Sequence, residues 1–384
     1  MLRFAVLPLF LGACGPTSLE LTFATSGEEI DPDGYLLVFE GLDEPVRAAA
    51  NGTTTIDGVS RGVQQVLLEG VAINCDPLQG RLNRTIDVGG NTALLIEMVC
   101  TRKELVFQSD RDGDWQLYRM NVDGTGQRAL TSTPAVATGG GSLHPVWSPD
   151  GERIAFVSDR DAADCTHPDG CTDVYMMDAD GSNVVRITDR DAPTLHPSWS
   201  PDSQQLAFLS PVDGVHQVFV AGYDGLFEEA LTSLTIQCAE GPDSMRPSWG
   251  PTGRIAYVGC GGNEAPRIFT MNGDGTNSVQ LTFEGGEGDG NPSWSDDGEQ
   301  IVFQRRFETE GVGLHSVPSA GGGVVRRTPP YTNEVEGRFA IGEQALTFTT
   351  LFNQSEVCIG PTDRPGAQLL TENPAEDRYP DWRP

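Results

Sequence analysis

Lysine is almost missing from these 384 residues: Lys103 is the only one, so the 25 basic side chains are otherwise arginine, set against 55 acidic ones for a net charge of −30. A field of that sign repels phosphate backbones and draws in cations or basic partners, which argues against nucleic acid as a ligand. The acidity itself reads as the solvated surface of an extracytoplasmic protein. Long apolar runs are missing too. The one at the start, from Phe4 to Leu11, is too short for a permanent transmembrane helix. Helix signals are scarce, whereas 46 Gly and 26 Pro favour a turn-rich fold while staying short of a low-complexity composition. Paired CxxC or Cys/His spacing is absent, and with it the pattern of a structural zinc site.

What the first residues do contain is one positive charge at Arg3, the apolar run, and then Leu11-Gly12-Ala13-Cys14. That order is a secretory signal. It also resembles a bacterial lipoprotein signal, in which the cysteine of the lipobox is lipidated and becomes the new N-terminus. The resemblance implies a lipid anchor on Cys14, with an ordinary cleaved signal as the alternative, and places the protein outside the cytoplasm. Gly15 after the cysteine points to the outer membrane or cell surface. Seven cysteines remain, and spacing suggests Cys75 with Cys100, Cys165 with Cys171 and Cys238 with Cys260, leaving Cys358 over. Disulfides in an oxidising compartment are the reading that fits.

Residues 15–100 alternate as short strands: LELTFAT (19–25), YLLVFEG (35–41), TTTIDGV (53–59), QQVLLEG (64–70), RTIDV (84–88) and TALLIEMVC (92–100). Asp31-Pro32-Asp33-Gly34 and Asn51-Gly52 read as turns between them, the pattern of a small antiparallel β-sandwich. The segment resembles prealbumin-like modules of the carboxypeptidase-regulatory and PEGA type, which implies a stalk or spacer.

From residue 101 to 384 the chain repeats itself. Pro-x-Trp ends at Trp147, Trp199, Trp249, Trp294 and Trp382, spaced by 52, 50, 45 and 88 residues, so one copy is degenerate; it falls at Gly337-Arg338-Phe339. Each copy continues with a strand such as RIAFVS (153–158), a second such as DVYMMDADG (173–181) and a closing dipeptide. The closers Leu130-Thr131, Ile187-Thr188, Leu231-Thr232, Leu281-Thr282, Arg327-Thr328 and Leu370-Thr371 mark six units. Units of this length cannot bury their faces alone and stack into a propeller. The first unit lacks Pro-x-Trp and RYPDWRP (378–384) has nothing after it, so the last strand should complete the first blade and close the ring.

HPSWSPD, IAFVSDRD, VYMMDADGS and RIT are similar to the WD-like repeats of TolB-type six-bladed propellers. The expected fold is therefore all-β: a six-bladed propeller (101–384) preceded by a β-sandwich (15–100) and a signal with lipobox (1–14). The resemblance implies docking of envelope proteins, including peptidoglycan-associated ones; the N-terminal module and lipid anchor depart from that family, so neither the partner nor the role carries over.

Candidate chemistry is sparse. Gly58-Val59-Ser60-Arg61-Gly62 matches a nucleophile elbow, but a strand follows it where a helix is needed. NVDGTG, DADGSN and NGDGTN look like fragments of calcium loops and read as Asx turns, lacking the twelfth-position Glu and flanking helices. DRDAADCTHPDGC (159–171) is an acidic, stapled insertion, either a plain surface loop or a partner-binding one. The residues just before each Pro-x-Trp are the informative set: His144, His196, Arg246, Asn291, Glu336 in the degenerate copy, and Tyr379. Each can hydrogen-bond or carry charge, and in propellers of this type they should gather at one mouth of the central channel. The expectation is a monomeric, non-catalytic scaffold without cofactor, whose ring binds a protein, peptide or small polar ligand. The enzymatic alternative is a metal-dependent lyase acting on sugars, with His144 and His196 as ligands and Glu336 as third, since related propeller lyases use clustered histidines and a metal.

Overall fold

The computed structural model describes residues 18–383 apart from 28–34, 40–43, 58, 60–61, 70–74, 78–82, 89–90, 101–102, 133–140, 169, 234–244, 261–264, 284, 329–333, 340–344, 353 and 362–367. Cys14, Cys238 and Ser60 lie outside the described residues. The chain divides into two units between Arg102 and Lys103.

Among the described residues the first unit is two four-stranded sheets sharing one core, because in strands such as Ser18–Gly27 and Tyr35–Phe39 alternate residues are apolar and point the same way. Leu19, Leu21, Phe23, Ile96 and Met98 from one sheet meet Tyr35, Leu37, Phe39, Val66 and Val88 from the other. Two short strands, Val46–Ala48 and Cys75–Pro77, join the six expected. Asn51-Gly52, read as a turn, instead begins the strand Asn51–Asp57. The ladders are not all antiparallel: Ser18–Gly27 runs parallel to Asn91–Cys100. These two strands sit at opposite ends of the module, so the chain between them supplies the long connection that a parallel pair requires. Cys75 stands directly opposite Cys100 across the ladder.

The second unit contains six four-stranded antiparallel sheets among the described residues. Their innermost strands touch in sequence, Ser142–Trp147, Leu195–Trp199, Ser248–Trp249, Gly288–Trp294, Glu334–Phe339 and Asp377–Trp382, and the last returns to the first. Closure comes from Asp377–Trp382 pairing with Glu104–Ser109, over 260 residues earlier in the chain, so the first sheet is built from both ends of the unit.

Two side-chain devices explain the repeated letters. The closing threonine of each copy turns its hydroxyl on the backbone N–H of its own third strand: Leu117, Val174, Val218, Ile268, Leu314 and Val357 donate to Thr131, Thr188, Thr232, Thr282, Thr328 and Thr371 at 2.9–3.0 Å. A buried donor at the end of a ladder is thereby satisfied. The tryptophans join neighbouring sheets, the Trp199 indole N–H donating to the Val146 carbonyl and that of Trp294 to the Ser248 carbonyl at 3.0 Å. Gly181 (φ 94°) brings its backbone so close to Leu130 of the preceding sheet that an added Cβ would lie 2.8 Å from that carbonyl oxygen. Only glycine fits there.

The calcium-like fragments are Asx turns. Asp123 Oδ1 accepts from the Thr125 N–H and hydroxyl, Asp274 Oδ1 from those of Thr276, and Asp180 Oδ1 from the Ser182 N–H. The insertion is stapled by Cys165–Cys171. Cys260 is disulfide-bonded.

Candidate functional site

Five of the six innermost strands carry a bulge, and the bulge decides where their side chains go. The ladder runs in register to Leu143↔Val157 and resumes at Val146↔Ala155, so His144 and Pro145 together face Phe156. Proline has no N–H to give the ladder, and an extra residue is accommodated at that point. The same two-against-one step sets His196-Pro197 against Phe208, Asn291-Pro292 against Phe303, Glu336-Gly337 against Phe348, and Tyr379-Pro380 against Phe107. At all five the first residue takes the left-handed conformation: φ is 50° for His144, 53° for His196, 48° for Asn291, 58° for Glu336 and 55° for Tyr379. Non-glycine residues there are strained by about 1 kcal/mol or more each. Arg246 is not among the positive-φ residues.

This geometry gathers part of the ring. The His144 and His196 imidazoles stack at 3.8 Å between centroids, and Tyr379 meets the His144 ring edge-on at 4.6 Å. Glu336 accepts from Arg378 Nη2 at 2.8 Å, the Thr349 hydroxyl at 2.7 Å and the Tyr379 N–H at 3.0 Å. Asn291 instead donates to Gln304 on its own sheet, and Gln108 accepts the His144 N–H. The expected open mouth is corrected: all six side chains are buried, from 1% exposure at His196 and Glu336 to 9% at His144. At five of the six positions the bulge turns the side chain inward, and with Arg246 they form a buried polar plug.

Burial also sets their charge. Desolvation, reinforced by the guanidinium charges of Arg246 and Arg378, pushes the His144 imidazole down to about 3. Burial, with His144 and Arg246 adding to it, holds His196 well below the usual imidazole range. Both are neutral at neutral pH. The face-to-face stack directs the two rings alike, and Glu336 has both carboxylate oxygens engaged, so the three do not present a shared ligand set. Among the described residues, the side chains that bring three metal-ligating atoms together are Cys165, Cys171 and Asp191, and the two thiols are spent in the disulfide.

An accessible cavity lies beside the plug, one layer along each strand. A funnel of about 430 Å³ is lined by the central residues of the repeat, Val146, Ser198, Ser248, Ser293, Arg338 and Asp381, and by the aromatic residues that follow them. Pro149, Pro201, Pro251 and Asp296, exposed turn residues, form its rim. Within the funnel wall Arg338 pairs with Asp381 at 3.4 Å, and Asp381 also accepts the Trp147 N–H at 2.7 Å. Ser198 accepts the Trp249 N–H in the same way. This layer is not among the candidate residues that the sequence singles out. Its signal was the variation at x, Val, Ser, Ser, Ser, Arg and Asp, between an invariant aromatic and a near-invariant proline.

The family described as PD40, TolB beta propeller domain, matches residues 135–241 and 163–384. The chain belongs to this family. TolB from Acinetobacter baumannii superposes with a TM-score of 0.62 at 20% identity, over 73% of this chain and 66% of that one. A putative TolB from Agrobacterium tumefaciens gives 0.52 at 17% identity over 70% and 88%. These likenesses concern the TolB fold. In sequence, an uncharacterized protein of Agrobacterium fabrum is 30% identical over 175 residues, 43% of this chain and 55% of that protein. The Tol-Pal system protein TolB of Geobacter sulfurreducens is 33% identical over 91 residues, 24% and 18% respectively. The chain thus spans about half or less of the length of these two curated relatives.

Proposed function

We propose that this protein is a non-catalytic envelope lipoprotein whose TolB-like propeller holds a segment of a protein partner in the central funnel, with the N-terminal sandwich as spacer and Cys14 as the lipidated anchor. The observation that carries the reading is the funnel itself: a concave, mostly apolar cavity of about 430 Å³ on the axis of a closed ring. Aromatic walls with a few polar groups among them are what a specific pocket requires. The Arg338–Asp381 pair supplies one polar anchor in that wall. Kinship with a Tol-Pal system protein makes an envelope component the partner class to test first.

The test is a crosslinking pull-down from envelope extract with the full chain, beside a variant carrying Pro201→Arg and Pro251→Arg on the rim. Both prolines are exposed turn residues, so the variant should fold and place two guanidinium groups across the entrance. A partner held by the parent and lost by the variant supports the funnel; equal capture by both places recognition elsewhere.

A further inference from the structure

Arg246, in the plug, is 3% exposed, and its Nε and Nη2 have no hydrogen-bond partner. Among the described residues it forms no ion pair. A buried guanidinium without a partner is strongly destabilising. Its neighbours are matched to one another: Arg378 with Glu336 at 2.8 Å and Arg338 with Asp381 at 3.4 Å. Burial, with the nearby Arg338 charge, pushes the Arg246 guanidinium down to about 9, while Glu336, Tyr379 and Asp381 pull the other way. Three guanidinium groups therefore share two carboxylates, and one positive charge is left over. Burial pushes the Asp381 carboxyl up, against the pull of Arg338. That excess sits at the core of a chain whose net charge is −30.

The identity of the free atoms narrows the ligand. Nε and Nη2 are the side-on edge of a guanidinium, two parallel donors spaced for the two oxygens of a carboxylate. The same molecule uses that edge elsewhere, where Arg305 Nε and Nη2 donate to Asp289 Oδ1 and Oδ2 at 2.6 and 2.8 Å. Beside Arg246, His196 has neither ring nitrogen paired and His144 has Nδ1 unpaired. Each neutral imidazole keeps one N–H to donate. We propose that the axis of the propeller carries a binding site for one small carboxylate, gripped through two bonds by Arg246 and completed by an imidazole N–H of His196. The carboxylate could belong to a free small acid or to a peptide reaching down from the funnel. The site goes beyond the funnel reading, because a free acid can fill it without any protein partner.

The experiment is a thermal melt of the full chain at constant ionic strength with acetate, N-acetylglycine or N-acetylglycinamide. Acetate should raise Tm saturably by about 3 °C, and the uncharged amide should not. A comparable rise with N-acetylglycine admits a chain-terminal carboxylate as well; a rise with acetate alone restricts the site to small free acids. Arg246→Met should abolish the response and melt, without carboxylate, at or above the parent, since it removes an unpaired buried charge. Arg246→Lys keeps the charge without the fork and should need at least ten-fold more acetate. No rise with acetate, an unchanged response in either variant, or an Arg246→Met protein melting well below the parent would each overturn the proposal.

Discussion

Five residues, His144, His196, Asn291, Glu336 and Tyr379, hold a left-handed backbone that their side chains resist, and they do so at equivalent points of five repeats. The recurrence marks the strain as part of the design of the axis. For the histidines it has a thermodynamic signature. Their native pKa values lie below the usual 6.5, at about 3 for His144 and lower than 6.5 for His196, and burial brings His315 to about 4. Between pH 6.5 and 4 the unfolded chain binds protons that the native ring refuses, so stability is full above 6.5 and is lost as pH falls. Asp381, raised by burial, opposes this near the acid end of the window. Melts from pH 7 to 4 should show a steady fall in Tm, shallower for His144→Phe; a pH-independent Tm over that range would contradict neutral buried histidines. Cys358 answers a question spacing left open. It is free, 1% exposed, and burial pushes its thiol up to about 12. It should therefore resist a thiol reagent in the native protein and react once the protein is denatured; reaction in the folded state would refute an inert thiol.

At the scale of the element, the blade is held by contacts that the repeated letters announce. Thr188 is the acceptor for the Val174 N–H and donates to Asp173 at 2.7 Å. Thr188→Val leaves a buried donor unmet and should cost about 1–3 kcal/mol in denaturant unfolding, whereas an unchanged midpoint would mean the threonine latch is idle. The repeat was legible because a Trp, a Pro and a Thr recur at fixed offsets, each required in every copy by the same packing or the same N–H. The return of Asp377–Trp382 to the first sheet was legible for the same reason, since half a motif stood at each end of the unit. Other features left no such trace. Val46–Ala48 and Cys75–Pro77 are three residues each, too short for alternation to register. The bulges were invisible because nothing in His-Pro announces a left-handed histidine. With the bulge missed, the residues before proline were placed at an open mouth when they form the plug, and the funnel wall at x went unread.

The whole molecule combines a strongly acidic exterior, a closed ring, a plugged axis with one unmatched guanidinium, and an aromatic funnel beside that plug. Among the described residues no helix is long and apolar enough to cross a membrane. Under the proposed function, recognition occurs at the funnel and not around the perimeter, where Leu226 is 84% exposed. The most direct test is site-specific photocrosslinking in intact cells, with a benzophenone amino acid replacing Pro201 on the rim in one strain and Leu226 on the perimeter in another. The expected result is a discrete protein adduct from position 201 that the Pro251→Arg change suppresses, and none from position 226. An adduct from 226 with nothing at 201 would contradict it and move the binding face to the outer strands.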